Sequence, residues 1–154
     1  MTLYFAYGSN MNRAAMGQRC PGARAIGPAM LAGHRFFVGI DGWGSVKPSA
    51  GDAVHGVLWR LTTRDLAALH AYELLHQGLY DVRHLPVHSG ARRVTAMIYR
   101  LRRRAPGKPK PGYVEMIAAS ARAWKLPERY IRSVERLRTS RWTGARVIDA
   151  GELA

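Results

Sequence analysis

The first apolar run, Leu3 to Tyr7, is aromatic-rich and stops at Gly8-Ser9-Asn10, the pattern of a short buried strand ending in a turn. Asn10 or Ser9 is then placed to cap a short helix over Met11 to Gly17. Arg35 to Ile40 reads as a strand, broken by Gly42-Trp43-Gly44. Residues 54 to 61 alternate in part and read as another. Thr62 or Thr63 caps a helix running to about Tyr72, with Asp65 in its first turn. Leu79 to Val87 and Arg93 to Leu101 are two further strands, and Ser89-Gly90 between them suggests a hairpin.

The pattern then changes. Ala105 to Gly112 is a proline-rich, lysine-bearing loop. A helix follows from Tyr113 to Trp124, with Tyr113, Ile117, Ser120 and Trp124 on one face and Glu115 and Arg122 opposite. Pro127 opens a second helix, with Tyr130, Ile131, Val134 and Leu137 as its core face and Arg129, Arg132 and Arg136 outside. From Thr139 onward no period is visible, so residues 139 to 154 read as an irregular tail of a single domain spanning the chain. Some five strands with helices inserted and appended, and few full crossovers, argue for an α+β domain with mostly antiparallel pairing.

Composition adds little to this until charge is counted. The 154 residues suffice for one domain with a sizeable core. No apolar run approaches the roughly 18 residues of a membrane span, and no secretory leader pattern is seen, so the expectation is a soluble cytoplasmic protein. Lys and Arg total 24 against 10 acidic residues, a formal charge of +14. That balance suits a polyanionic partner such as nucleic acid, yet no zinc-finger, RRM or KH pattern accompanies it, and a solvated arginine-rich surface is the simpler account.

Two places carry candidate chemistry. At Tyr7-Gly8-Ser9-Asn10 a strand gives way to a turn and helix, a junction whose unpaired N–H groups suit a carboxylate or developing oxyanion. An ordinary helix cap fits the same residues. No Gly-x-Ser-x-Gly motif supports Ser9 as a nucleophile. Glu73 follows the apolar face Leu66-Leu69 and precedes Leu74-Leu75. A carboxyl there would be partly desolvated and its pKa raised into the range of a general base. On these facts alone a surface glutamate at a helix end is the commoner case. The six histidines lack zinc-site spacing; His84 and His88 share a strand face at most. Cys20, the single cysteine, has no activating neighbour in sequence and reads as an inert thiol. Neither a metal nor an organic cofactor is expected.

These segments, taken in order, resemble the γ-glutamyl cyclotransferase-like family. Tyr4-Phe5-Ala6-Tyr7-Gly8-Ser9-Asn10-Met11 looks like its N-terminal signature. Gly51-Asp52-Ala53-Val54-His55-Gly56-Val57-Leu58-Trp59 is similar to its Gly-Asp-x-Val-x-Gly strand. Leu69-His70-Ala71-Tyr72-Glu73, followed by Gly78-Leu79-Tyr80, matches its glutamate-bearing segment. The Tyr113 helix and Leu126-Pro127-x-x-Tyr130 resemble its last two helices. The resemblance implies a small β-barrel with helices packed around it. It also implies cyclisation of a γ-glutamyl compound to 5-oxoproline with release of an amine, a reaction that needs neither metal nor external nucleophile. By the same resemblance Glu73 is the acid–base residue, Tyr4, Phe5, Ala6, Tyr7, Gly8 and Ser9 line the substrate pocket, and Tyr113 contacts substrate. Asn10, Tyr80 and Tyr99 are further pocket candidates, with core packing an equal account of the two tyrosines. The family often has glycine directly after the glutamate. This chain has Leu74, a bulkier residue expected to narrow or reshape the pocket and so to bear on substrate identity more than on activity. A small-carboxylate-binding protein on the same scaffold and a basic nucleic-acid-binding module stay open as alternatives. For assembly, an isologous homodimer is the base-rate expectation.

Overall fold

The computed structural model describes residues 1–73 and 78–139, with the side chain of Thr139 left aside. Leu74 and the tail beyond Thr139 lie outside the described residues. Five strands form a closed barrel in the order β1-β3-β2-β4-β5. They are β1 (Thr2–Ala6), β2 (Arg24–Val38), β3 (Gly44–Leu61), β4 (Tyr80–Ser89) and β5 (Arg92–Leu101). Neighbours are antiparallel except where β1 meets β5, a parallel contact of Tyr4 with Met97 that closes the ring. The α+β barrel is therefore as expected, and the hairpin at Gly90 is present, with Gly90 at φ 62 where a left-handed turn needs glycine.

β2 and β3 are much longer than their apolar stretches predict, at 15 and 18 residues. Their register runs from Arg24↔Arg60 to Val38↔Gly44, with bulges between Ala25 and Gly27 and between Ala32 and His34. The bulges fall beside Gly27 and at Gly33, both at positive φ, where glycine lets the ladder slip by one residue. Gly56 is fixed by the barrel itself. A Cβ there would lie 2.3 Å from the Ala6 carbonyl oxygen and 2.9 Å from the tip of the Phe5 ring.

Four helices pack on this barrel: α1 (Arg13–Arg19), α2 (Thr63–Tyr72), α3 (Tyr113–Ala123) and α4 (Glu128–Thr139). The expected helix from Met11 is corrected. Ser9–Met11 form a 3-10 turn, and Asn12 rather than Ser9 or Asn10 caps α1, its Oδ1 accepting from the Ala15 N–H at 2.8 Å. Asn10 cannot cap because its side chain is engaged in the interior. α2 starts with a capping box between Thr62 and Asp65, and the buried Asp65 also accepts from the Gly22 N–H, tying the end of α1 to the start of α2. α3 buries Tyr113, Ile117 and Ser120 as its period predicted. The indole N–H of Trp124 donates to the Met11 carbonyl at 2.7 Å, pinning the 3-10 turn to the end of α3. No described helix is long and apolar enough to cross a membrane.

Candidate active site

Glu73 is delivered by the end of α2. Leu69 is fully buried and Glu73 lies one turn further along the same face, so anchoring Leu69 in the core turns Glu73 inward. β1 brings Tyr4 beneath it. The turn after β1 brings Tyr7, Gly8, Ser9 and Asn10. These residues enclose, with Tyr80, Tyr99, Tyr113 and Gly44, a narrow cavity of about 40 Å³.

Asn10 organises the cavity. It is 3 % exposed, and its Nδ2 donates to Glu73 Oε2 at 3.0 Å and to the Tyr4 hydroxyl at 3.0 Å. Its Oδ1 accepts from Arg19 Nη1 at the end of α1. The amide thus spans a phenol, a carboxyl and a guanidinium. Burial pushes the Glu73 carboxyl up to about 7, against smaller opposing effects of the Arg19 charge and the Asn10 hydrogen bond. A carboxyl at that value exchanges a proton readily near neutral pH.

The tyrosines are held above their ordinary pKa, first by burial, and stay protonated. Tyr113 is pushed up to about 12, and Tyr4, Tyr7, Tyr80 and Tyr99 also rise. The Tyr7 hydroxyl donates to the Tyr99 carbonyl at 2.6 Å, which fixes the loop to β5. The Tyr99 hydroxyl is hydrogen-bonded to His70 Nδ1 at 2.6 Å, and burial lowers the His70 pKa. The Tyr113 hydroxyl accepts the Gly44 N–H at 2.9 Å. Tyr4 and Tyr113 therefore act as acceptors toward the protein. Among the described residues nothing takes their own hydroxyl protons, which can donate into the cavity.

Gly8 and Gly44 permit this closeness. A Cβ on Gly8 would stand 3.3 Å from the Tyr113 hydroxyl, and one on Gly44 would stand 2.8 Å from it. Gly44 is positioned by a tight turn in which the Gly39 N–H donates to the Trp43 carbonyl. The proline-rich loop docks on that turn through the Gly107 N–H to Val38 and the Lys110 N–H to Gly42.

Of the residues named from sequence, Tyr4, Tyr7, Gly8, Ser9, Asn10, Glu73, Tyr80, Tyr99 and Tyr113 meet at this cavity. Phe5 and Ala6 do not. Phe5 is wholly buried against Gly56, and Ala6 lies in the core beside the same glycine, so both serve packing of β1 on β3. The helix expected directly after this loop is displaced, since α1 starts only at Arg13. Arg19, Gly44 and His70 were missed. No motif marks them: Gly44 meets Tyr113 across 69 residues and His70 meets Tyr99 across 29, while Arg19, nine residues from Asn10, is brought back to it by α1. A larger hollow of about 440 Å³, between β2, the proline-rich loop and α4, holds Arg35, Lys47 and Asp52 among apolar residues and shares no lining residue with the Glu73 cavity, from which the Phe36 ring separates it. Among the described residues no three His, Cys, Asp or Glu side chains converge as metal ligands. Cys20 is 1 % exposed, its thiol donates to the Asp65 carbonyl, and burial pushes it up to about 11.

Known proteins share this architecture. The γ-glutamylcyclotransferases of Mus musculus and Homo sapiens are 26 % and 27 % identical to the chain, each alignment covering 92 % of it and 81 % of the relative. A solved γ-glutamyl cyclotransferase structure superposes with a TM-score of 0.80 at 26 % identity, over 87 % of this chain and 86 % of that one. The AIG2-like family model matches residues 53–134, from the middle of β3 through α2 and Glu73 to the core face of α4. With more than half of its length under that model and its barrel shared with the cyclotransferases, the chain belongs to the AIG2-like, γ-glutamyl cyclotransferase-like family.

Proposed function

We propose that this chain cyclises the γ-glutamyl group of a small substrate to 5-oxoproline and releases the amine or amino acid attached to it. The observation that carries the reading is Glu73: a carboxyl raised to about 7 by burial, facing a cavity walled by hydroxyl and N–H donors. The cyclotransferase names of the relatives agree with it.

In this reading Glu73, as carboxylate, takes a proton from the substrate's α-ammonium. The neutral amine attacks the γ-carbonyl carbon of the same molecule, and a five-membered ring closes. The attack is intramolecular, so the site's task is to hold the substrate folded back on itself. Charge develops on the γ-carbonyl oxygen. The Tyr4 and Tyr113 hydroxyls and the main-chain N–H groups of the Gly8-Ser9 turn are donors of the kind that stabilise it or the α-carboxylate. The protonated Glu73 then gives its proton to the leaving nitrogen as the γ-carbon–nitrogen bond breaks. The freed carboxylate takes the second proton of the ring nitrogen and passes it to the released amine, which departs as an ammonium, so Glu73 ends as it began and no proton is gained or lost overall.

The basic surface is not a continuous phosphate-binding stripe along the last two helices. On α3 and α4, Arg122 pairs with Glu128 and Glu135, Arg132 with Glu128, and Arg138 with Glu115, so part of that positive face is neutralised within the protein. The test is release of 5-oxoproline from a panel of γ-glutamyl amino acids and amines, with Glu73→Gln beside the wild type. Loss of a positioned acid–base group lowers kcat by about 10²–10⁴. The kcat/KM of the wild type is expected to rise with pH through about 7, as Glu73 loses its proton. Full activity in Glu73→Gln would remove Glu73 from the mechanism. No 5-oxoproline from any substrate would favour a binding protein on this scaffold.

A further inference from the structure

Immediately outside the Glu73 cavity lies a second hollow of about 340 Å³ that the reaction as written leaves without a role. The two share Ser9, Glu73, Tyr80 and Tyr113 in their walls, so the outer one is the vestibule of the inner. Its own residues are Arg19, Trp43, Tyr72, Leu79 and Met116. Trp43 and Tyr72 are among the few large apolar side chains exposed on the described surface, at 38 % and 46 %. Exposed aromatic surface gathered around one opening marks a place where something apolar docks.

The vestibule also holds a cation in a set position. The Arg19 guanidinium stacks 3.8 Å from the Tyr72 ring centroid and donates through Nη1 to Asn10. Among the described residues it makes no ion pair, and its other N–H groups have no acceptor. A stacked, hydrogen-bonded guanidinium has lost much of its freedom already, so an incoming carboxylate is bound at little further entropic cost. Trp43 is similarly steadied, edge-on to Tyr113 with ring centroids 5.3 Å apart.

Chemistry connects the two hollows. The leaving nitrogen must come within hydrogen-bond reach of Glu73, so whatever that nitrogen carries extends into the vestibule. We propose that the vestibule is the leaving-group subsite and selects γ-glutamyl amino acids that have a free α-carboxylate and a bulky apolar or aromatic side chain. Arg19 takes the carboxylate, and Trp43, Tyr72, Leu79 and Met116 receive the side chain. The proposal rests on the γ-glutamyl reading above and adds to it the class of leaving group.

The experiment compares 5-oxoproline release from γ-glutamyl-phenylalanine, from γ-glutamyl-phenethylamine (the same ring without the carboxylate) and from γ-glutamyl-glycine. The wild type, Arg19→Gln and Trp43→Ala are measured. Wild-type kcat/KM should favour the phenylalanine compound over the amine by about 10–100-fold, the range of a hydrogen bond to a charged group. In Arg19→Gln that ratio should fall toward unity, whatever happens to the absolute rate through Asn10. Preference for phenylalanine over glycine should be about tenfold or more and should shrink in Trp43→Ala. Because each readout is a ratio within one variant, partial loss of folded protein does not imitate it. Equal turnover of acid and amine by the wild type, or a ratio unchanged in Arg19→Gln, would reduce Arg19 to a support for Asn10 and overturn the proposal while the γ-glutamyl reading stood. A preference for glycine would overturn its apolar half. Absence of 5-oxoproline from all three substrates would remove the γ-glutamyl reading and the proposal with it.

Discussion

At Glu73 burial sets the chemistry of a carboxyl, and a neighbouring guanidinium and amide moderate it. Burial raises Glu73, while the Asn10 N–H and the Arg19 charge restrain the rise, leaving it near 7. The same shift has a consequence for stability. An unfolded glutamate titrates near 4.5, so between about 4.5 and 7 the folded chain binds more protons than the unfolded one. Stability contributed by this group is therefore full below about 4.5 and lost as pH rises through about 7. Glu73→Gln, which is neutral throughout, should be more stable than the wild type at pH 8 by roughly 1–3 kcal/mol, given about 1.4 kcal/mol per pKa unit. The difference should close toward pH 4.5. Urea melts of both proteins across that range would show it. A gap that is constant with pH would mean that Glu73 titrates at its ordinary value in the folded chain.

At the scale of elements, most boundaries are set by local hydrogen bonds that can be named. The capping box of Thr62 and Asp65 starts α2. The end of α3 is a Schellman arrangement, with the Lys125 N–H donating to Arg122 and the Leu126 N–H to Ala121, while Leu126 turns into the core. Lys125 takes the left-handed position there at φ 58, which a residue with a Cβ adopts at a cost of about 1–2 kcal/mol. Glycine avoids that cost but loses more chain entropy on folding, by roughly 0.5–1 kcal/mol. Lys125→Gly should accordingly raise stability by about 0.5–1 kcal/mol without altering 5-oxoproline release, since the residue is on the exposed corner between α3 and α4. Thermal melts would register the change as a higher Tm. A lower Tm would mean that the lysine stem contributes more by packing than its backbone costs.

For the molecule as a whole, the formal charge of +14 outweighs the ion pairs along α3 and α4. Self-repulsion at that charge opposes the compact state and is screened over about 10 Å at 0.1 M salt. The Tm should thus rise as sodium chloride is increased from about 10 mM to 0.2 M. A fall would show that the surface pairs dominate instead. The same scale separates what local pattern decides from what it does not. The aromatic run of β1, the cap at Thr62, the turn at Gly90 and the faces of α3 and α4 were readable because each depends on residues within a turn or two of one another. Glu73 was singled out by the resemblance of its segment to the family's and not by local pattern, which by itself favours a surface glutamate at a helix end. The full lengths of β2 and β3 were not readable. The unread part of β2, Arg24 to His34, is interrupted by Gly27, Pro28 and Gly33, and that of β3, Gly44 to Ala53, by Pro48 and Gly51; they are strands because each supplies the other's hydrogen-bond partners. The meeting of Tyr4, Asn10, Arg19, Gly44, Glu73 and Tyr113 was likewise decided by closure of the barrel. The sequence by itself determined the faces of α3 and α4, the places of β1, β4 and β5 and, through the order of its family-like motifs, which carboxyl to single out. Only the tertiary structure decided that an arginine, an amide and several phenols surround that carboxyl, because burial and mutual approach are properties of packed elements and not of any one of them.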